Sequence, residues 1–252
     1  MTVFSAWFDT SGEQTQGPIV VAVGVMSSAV RWNAFDRRFM KVLREYGVTS
    51  LHMRDYAHSN GEFASWKGDE PRRAAFLAEL VKTTSPWIDR VFVRATIVDD
   101  YRKVNRRYRL TERMKGVYAI TQAGSLGLAI DWGYRNSDRP KSDKFHAFVE
   151  QGDTGQDAFR EFVKKEWDFE PTFLPKIDQT TGEPYTAFCA ADLIAYEHRK
   201  LYAAALAAKT NPWLLTWRRS LQELRKNLTV DAALYDAAAL TKMCVHLNLP
   251  RR

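Results

Sequence analysis

Cysteine is almost absent from this chain. Only Cys189 and Cys244 occur among 252 residues, with no CxxC pair. A structural zinc site needs about four soft ligands, so that class is excluded, and both thiols are expected to be buried and reduced. Long hydrophobic runs are missing too. No apolar stretch reaches the roughly 20 residues needed to cross a bilayer, and the N-terminus opens directly on a strand-like run without a signal-peptide pattern. A soluble, cytoplasmic protein with no membrane partner is therefore expected. There is no P-loop, no GxGxxG element and no GxSxG elbow, which argues against nucleotide binding or serine chemistry through those devices. His58, His146, His198 and His246 form no HxxxH pair or other metal-ligand spacing.

The chain is otherwise ordinary in composition, 45% hydrophobic and 27% charged, and long enough to bury a core without staples. Its net charge of +7 favours a polyanionic partner, of which nucleic acid is the commonest.

Short runs of β-branched and aromatic residues at 3–9, 18–26, 89–100 and 144–150 read as strands. The first two, separated by the turn residues 10–18, read as a hairpin. Helical spacing marks 27–47, ended by Gly47, and 72–85, with Pro71 at its start. It also marks 110–135, with Thr111 as N-cap, and 156–169, 185–209, 213–227 and 230–248. The segment 48–56 reads as extended and 58–71 and 137–143 as loops. Pro175 demotes 171–177 to an edge strand or loop. Alternation of this kind implies an α/β fold, a mixed central sheet with helices on both faces, followed by a helical C-terminal extension. We read 1–252 as one domain, with an α/β core at 1–209 and the extension at 210–252, divided where Pro212 breaks the long helix.

The positions of three carboxylates are informative. Asp9 closes an apolar strand before a Ser-Gly turn and shares a strand face with Trp7, Ser5 and Val3. Glu150 closes another apolar strand just before Gly152. Asp192 lies in a helix apolar all round, where a carboxylate is costly unless it is paired or binds a metal. Ligands of α/β sheets gather beyond the carboxyl ends of the strands, so two strand-end acids and one from a packed helix make a sensible cage for Mg²⁺ or Mn²⁺, with Asp153 as a substitute or fourth ligand. The simpler alternatives are a turn role for Asp9, a solvated Glu150, and an Asp192 paired with Arg199, Lys200 or an arginine elsewhere.

His52 is a candidate proton relay or phosphate contact beside the acids, or else a packing residue. The stretch Arg102, Lys103, Arg106, Arg107, Arg109, Arg113 and Lys115 interleaves cations with Tyr101 and Tyr108, a composition suited to a nucleic-acid backbone and its bases. A solvated loop and helix start would look the same. Arg218, Arg219, Arg225 and Lys226 form a second basic patch on a helix face, and Trp213 and Trp217, one turn apart, are expected to pack in the core.

The order of these elements resembles the domain-of-unknown-function family 3800, whose fold is RNase H-like. The family's opening Asp-Glu-Ser-Gly is similar to Asp9-Thr10-Ser11-Gly12. Its Trp-containing helix is matched by Trp32 and its His-x-x-Asp element by His52 to Asp55. An acidic strand end is matched by Phe148-Val149-Glu150, and the closing Ala-Asp-Leu-Ile-Ala-Tyr by 191–196. The resemblance covers most of residues 3–200. Thr10 replaces the second acid of the opening motif, and Phe188 or Cys189 stands where the closing motif has Gln.

The resemblance implies a metal-dependent nuclease in which Asp9, Glu150 and Asp192, with His52 beside them, hydrolyse a phosphodiester bond. The alternative is a catalytically inactive nucleic-acid or protein binding module of the same fold, linked to mobile elements or phage defence. A homodimer through the C-terminal helices is a further expectation.

Overall fold

A computed structural model describes residues 4–12, 17–136 and 145–251. Val3, part of the 10–18 turn and the loop at 137–143 lie outside the described residues. Six strands form one sheet: β1 (Phe4–Ser11), β2 (Ile19–Ser28), β3 (Arg90–Ile97), β4 (Phe145–Glu150), β5 (Thr172–Leu174) and β6 (Val230–Tyr235). Their order is β5-β4-β1-β2-β3-β6. β2 is antiparallel to both β1 and β3, while β4 runs parallel to β1, β5 to β4 and β6 to β3. The carboxyl ends of β1, β3, β4, β5 and β6 therefore share one end of the sheet.

Helices cover both faces. α1 (Ala29–Tyr46), α3 (Glu70–Thr84), α8 (Thr186–Ala207) and α9 (Arg219–Asn227) bury their apolar stripes with Val21, Val23 and Val25 of β2. On the other face α4 (Val98–Tyr108), α6 (Val117–Arg135), α7 (Gln156–Trp167) and α10 (Ala237–His246) pack with Phe8, Val20 and Met26. Period-two alternation sends adjacent residues of β1 and β2 to opposite cores. Gly24 faces Phe8 across the β1–β2 ladder, and the ring lies where a Cβ would sit, about 2.3 Å from it. A mixed sheet covered on both faces is the α/β architecture that the sequence indicated.

Several local expectations are corrected. The extended piece at 48–56 instead ends in a short helix, α2 (Met53–His58), and a 3-10 helix spans Gly61–Trp66 in the following loop. The basic stretch after β3 is α4. The long helix at 110–135 is interrupted by Lys115 and Gly116, both at positive φ, which separate α5 (Leu110–Met114) from α6. Thr111 is not its N-cap, since Arg109 holds that place. The C-terminal segment is not wholly helical. Residues 230–248 divide into β6, paired beside β3, and α10, capped by the Asp236 side chain. The run 213–227 begins as a 3-10 turn at Pro212–Leu214 and becomes α-helical only at Arg219. Cys189 and Cys244 are buried free thiols, as expected.

Candidate active site

The chain brings Asp9 and Glu150 to one end of the sheet because β1 and β4 are parallel neighbours whose apolar residues are clamped between the two cores. Gly12, three residues past Asp9, turns the chain with φ +95°, and a Cβ there would lie 2.4 Å from the Ile19 carbonyl oxygen. That close approach explains the glycine of the Asp-x-Ser-Gly motif. The Asp9 Oδ1 atom accepts a hydrogen bond from the Thr10 backbone N–H at 2.7 Å. Thr10 itself points to the other face of the sheet, where its hydroxyl donates to Gln122 Oε1 at 3.0 Å. The position at which the family's second acid is missing is thus engaged with α6.

α8 lies across β1 and β2 and delivers Asp192, which is only 7% exposed. Its Oδ2 atom accepts two bonds. One comes from the backbone N–H of Met53 at the start of α2, at 2.9 Å. The other comes from the Lys176 ammonium at 2.8 Å. Lys176 also lies 3.4 Å from Glu150 Oε2, an oxygen that is buried and accepts no hydrogen bond. Asp192 is therefore paired with a basic side chain, but not with Arg199, Lys200 or an arginine. Its partner is shared with Glu150.

Three of the acids feel their charged neighbours. Burial, and then the charges of Glu150, Asp192 and Asp153, push the Asp9 carboxyl well above the usual carboxylate range, against the pull of Lys176. Glu150 is raised chiefly by burial and also by Asp192, while Lys176 and His52 draw it down. Asp153, in the turn between β4 and α7, is pushed up to about 6 by burial and by Glu150. Burial opposes the charge of Lys176, but Asp192, Asp9 and Glu150 outweigh it and hold its pKa well above the usual lysine range. The raised Asp9, Glu150 and Asp153 favour the uncharged form more than free carboxyls do, a preference that a further cation would oppose.

All the donors are carboxylate oxygens, the ligand type that hard divalent cations prefer. The donor chemistry suits such an ion. Glu150 and Asp192 are drawn toward Lys176, and among the described residues no three Asp, Glu, His or Cys side chains stand close enough together to enclose a metal.

His52 is the N-cap residue of α2. Its Nδ1 lies 3.3 Å from Asp55 Oδ2, at the rim of the site where Glu150 senses it. Lys176, which the sequence did not single out, carries a recognisable signal in retrospect. It is a lone cation in the otherwise apolar PTFLPKI run, just past the strand beside Glu150. Tyr118, on α6, is a second residue near Asp153 and Thr10 that sequence reasoning missed.

The basic segment is helical and amphipathic. Tyr101 and Tyr108 are buried, at 5% and 2% exposure, so neither ring can stack on a base. Register places Asp9 opposite Val23 and Val23 opposite Val93, so β3 ends at Ile97 on the same end of the sheet as the acids and leads straight into α4. Its cations already have neighbours. Arg102 meets Asp99, Lys103 meets Asp100, Arg109 meets Glu112, and Arg113 is paired with Glu166 of α7. Trp213 and Trp217 are not one helical turn apart, and Arg225 stacks over both rings, at 4.9 and 4.5 Å from their centroids. A separate cavity of about 670 Å³ between α3 and α9, lined by Leu77, Lys82, Arg219 and Asn227 among others, includes none of the four acids. Among the described residues no helix is long and apolar enough to cross a membrane.

No family model and no curated protein matches the sequence. Among solved structures the chain is similar to Bst-RNase HIII in complex with Mn²⁺, at 11% identity and a TM-score of 0.46, over 97% of this chain and 70% of that one.

Proposed function

We propose that the protein is a divalent-cation-dependent hydrolase of phosphodiester bonds in nucleic acid, and that it is kin to the RNase H-like family 3800 suggested by its motifs. One observation carries this reading. Asp9, Glu150, Asp153 and Asp192, drawn from three elements and a turn, lie at the carboxyl end of the sheet closely enough that the charges of Glu150, Asp192 and Asp153 raise Asp9, that of Asp192 raises Glu150, and that of Glu150 raises Asp153. Asp9, Glu150 and Asp192 would hold Mg²⁺ or Mn²⁺, with Asp153 as a fourth ligand. A bound cation would activate water and neutralise the leaving oxygen.

The chain's own groups do the remaining work. The Met53 and Thr10 N–H groups fix the two carboxylates whose orientation matters most. His52 at the rim exchanges protons with the leaving oxygen, within reach of solvent. Arg102, Lys103, Arg106, Arg107, Arg109 and Arg113 hold the phosphate backbone from α4 and α5, through charge rather than through stacking. The test is cleavage of labelled RNA, DNA and hybrid duplex with Mn²⁺. Wild type should cut at least one of them, and Asp9→Asn and Asp192→Asn should not. Equal activity in all three proteins rules the site out.

A second reading is favoured by the Lys176 ion pairs. An ammonium already pairing Asp192 and Glu150 suits a binding module that needs no metal. Such a protein would take up no Mn²⁺ yet shift nucleic acid on a gel, with affinity falling steeply as salt rises.

A further inference from the structure

Tyr196 closes the Ala-Asp-Leu-Ile-Ala-Tyr motif, one turn past Asp192 on α8. Its buried ring has three cations about it. The Lys200 ammonium lies 5.3 Å from the ring centroid, the Arg218 guanidinium 5.7 Å and that of Arg199 5.8 Å. Arg199 and Lys200 reach it from the next turn of α8, and Arg218 from the N-cap of α9. The ring attracts each cation, yet like charges gathered on it repel one another unless acids offset them. Among the described residues one acid does so. Glu197 Oε2 lies 3.5 Å from Arg218 Nε, on a side chain wholly out of solvent, and Glu197 also feels Lys200. Neither Arg199 nor Lys200 makes an ion pair among the described residues. The Arg199 Nε atom is buried and finds no acceptor.

The cluster stands beside the acids. Asp192 and Arg199 lie on one line of α8, about two helical turns or roughly 10 Å apart. The Arg199 Cδ atom is 3.2 Å from where a Cβ on Gly12 would sit, so this side chain flanks the turn that follows Asp9. The Arg218 charge is felt by Tyr56 of α2, the helix whose first N–H holds Asp192.

We propose that Arg199, Lys200 and Arg218 bind a terminal phosphate, the phosphomonoester at one end of a nucleic-acid strand that runs on past Tyr196 toward the acids. The inference rests on the nucleic-acid reading above and deepens it, and it asks for no metal. Charge decides which kind of phosphate fits. Three cations against one buried acid leave two positive charges. An internal phosphodiester brings one negative charge, whereas a phosphomonoester brings about 1.5 to 2 at neutral pH and three strong acceptor oxygens. Two guanidinium forks and an ammonium suit those oxygens. Lys200 is exposed and Arg218 half-exposed, which leaves an entrance from solvent. Arg199 supplies the buried N–H that still lacks an acceptor.

The experiment is fluorescence anisotropy of the full chain in EDTA, near neutral pH. The probes are short, internally labelled RNA and DNA strands carrying a 5′-phosphate, a 3′-phosphate or hydroxyls at both ends. Wild type is compared with Arg199→Gln and with Lys200→Gln, whose exposed position guards against the first variant failing to fold. Wild type should bind a strand phosphorylated at one end about tenfold tighter than the hydroxyl-ended strand, the worth of one charge-assisted hydrogen bond. Each variant should lose most of that preference. AMP and inorganic phosphate serve as competitors. If either binds as tightly as the phosphorylated strand, the site serves a free phosphate and the strand-end assignment falls. Equal binding of phosphorylated and hydroxyl-ended strands by wild type, or an undiminished preference in Lys200→Gln, overturns the site and leaves the nucleic-acid reading standing. No binding of any strand overturns the nucleic-acid reading, and titration with AMP and phosphate then still decides whether the three cations hold a phosphate.

Discussion

The backbone N–H of Met53 donates to the Oδ2 atom of Asp192 at 2.9 Å, tying the first residue of α2 to the second turn of α8. The same oxygen receives the Lys176 ammonium. Removing this carboxylate leaves a buried donor without its acceptor and takes from the Lys176 ammonium the nearer of its two acidic contacts. Asp192→Ala should therefore lose about 3–5 kcal/mol of stability, as expected for breaking one side of a buried pair. Asp192→Asn keeps an acceptor for Met53 and should lose less. Urea denaturation of both variants measures the difference.

Stability should fall as pH rises through the range where the acids ionise. Asp153 keeps its proton up to about pH 6 in the folded chain but only to about 4 when unfolded. Asp9 and Glu150 are raised in the same direction. A raised folded pKa contributes stability that is complete below the unfolded value and is lost as pH passes the folded one. Added Mn²⁺ should restore that loss, raising the melting temperature more at pH 7 than at pH 5, and Asp153→Asn should flatten this limb. Thermal melts across the range, with and without metal, are the check.

His198 acts in the opposite sense. It is buried in α8, and burial holds its imidazole down to about 4. A depressed folded pKa gives stability that is present above about 6.5 and lost as pH falls toward 4, worth about 3 kcal/mol for a shift of this size. His198→Gln should remove this acid limb, so that the pH profiles of the variant and the wild type diverge below about pH 6.5.

Gly24 should tolerate no side chain while Phe8 stays in place. A methyl group would meet the ring at about 2.3 Å, so Gly24→Ala should cost about 1–3 kcal/mol by overpacking. Phe8→Leu in the same chain should recover part of that. A double-mutant cycle measured by denaturation reads the coupling.

On α4, Arg106 and Arg107 immediately precede the buried Tyr108. Replacing both by Gln should weaken nucleic-acid binding without regard to sequence, and should lower the slope of log affinity against log salt by about one for each phosphate no longer neutralised. Gel-shift titrations at several salt concentrations measure it. An unchanged slope places the nucleic acid elsewhere.

The sheet was legible where one residue pattern had one structural meaning. The apolar run of β2 and the alternation in β1 fixed strands whose two faces enter different cores. Asp192 stood out because a helix apolar on every side leaves a carboxylate no solvent. Lys176 did not stand out, because its position depends on the closure between Lys176 and Tyr185, a pairing that spacing along the chain does not encode. β6 was misread for a related reason. Val230-Asp231-Ala232-Ala233-Leu234-Tyr235 is rich in good helix formers, and only the open side of β3 turns it into a strand, a case of tertiary pairing overriding local preference. Tyr101 and Tyr108 looked like a stacking platform because sequence shows that aromatics and cations alternate but not which face of the helix each one occupies.

The pairing of Val230–Tyr235 with Arg90–Ile97 sets a condition on synthesis. Until Val230 leaves the ribosome, the outer rim of β3 carries bare N–H and C=O groups along a strand that is apolar except at Arg90, Arg94 and Thr96, a template for pairing with another chain. A protein cut short before Pro212 would keep that rim open for good and should aggregate, so the residues after Pro212 act as the seal that lets the earlier ones stay soluble.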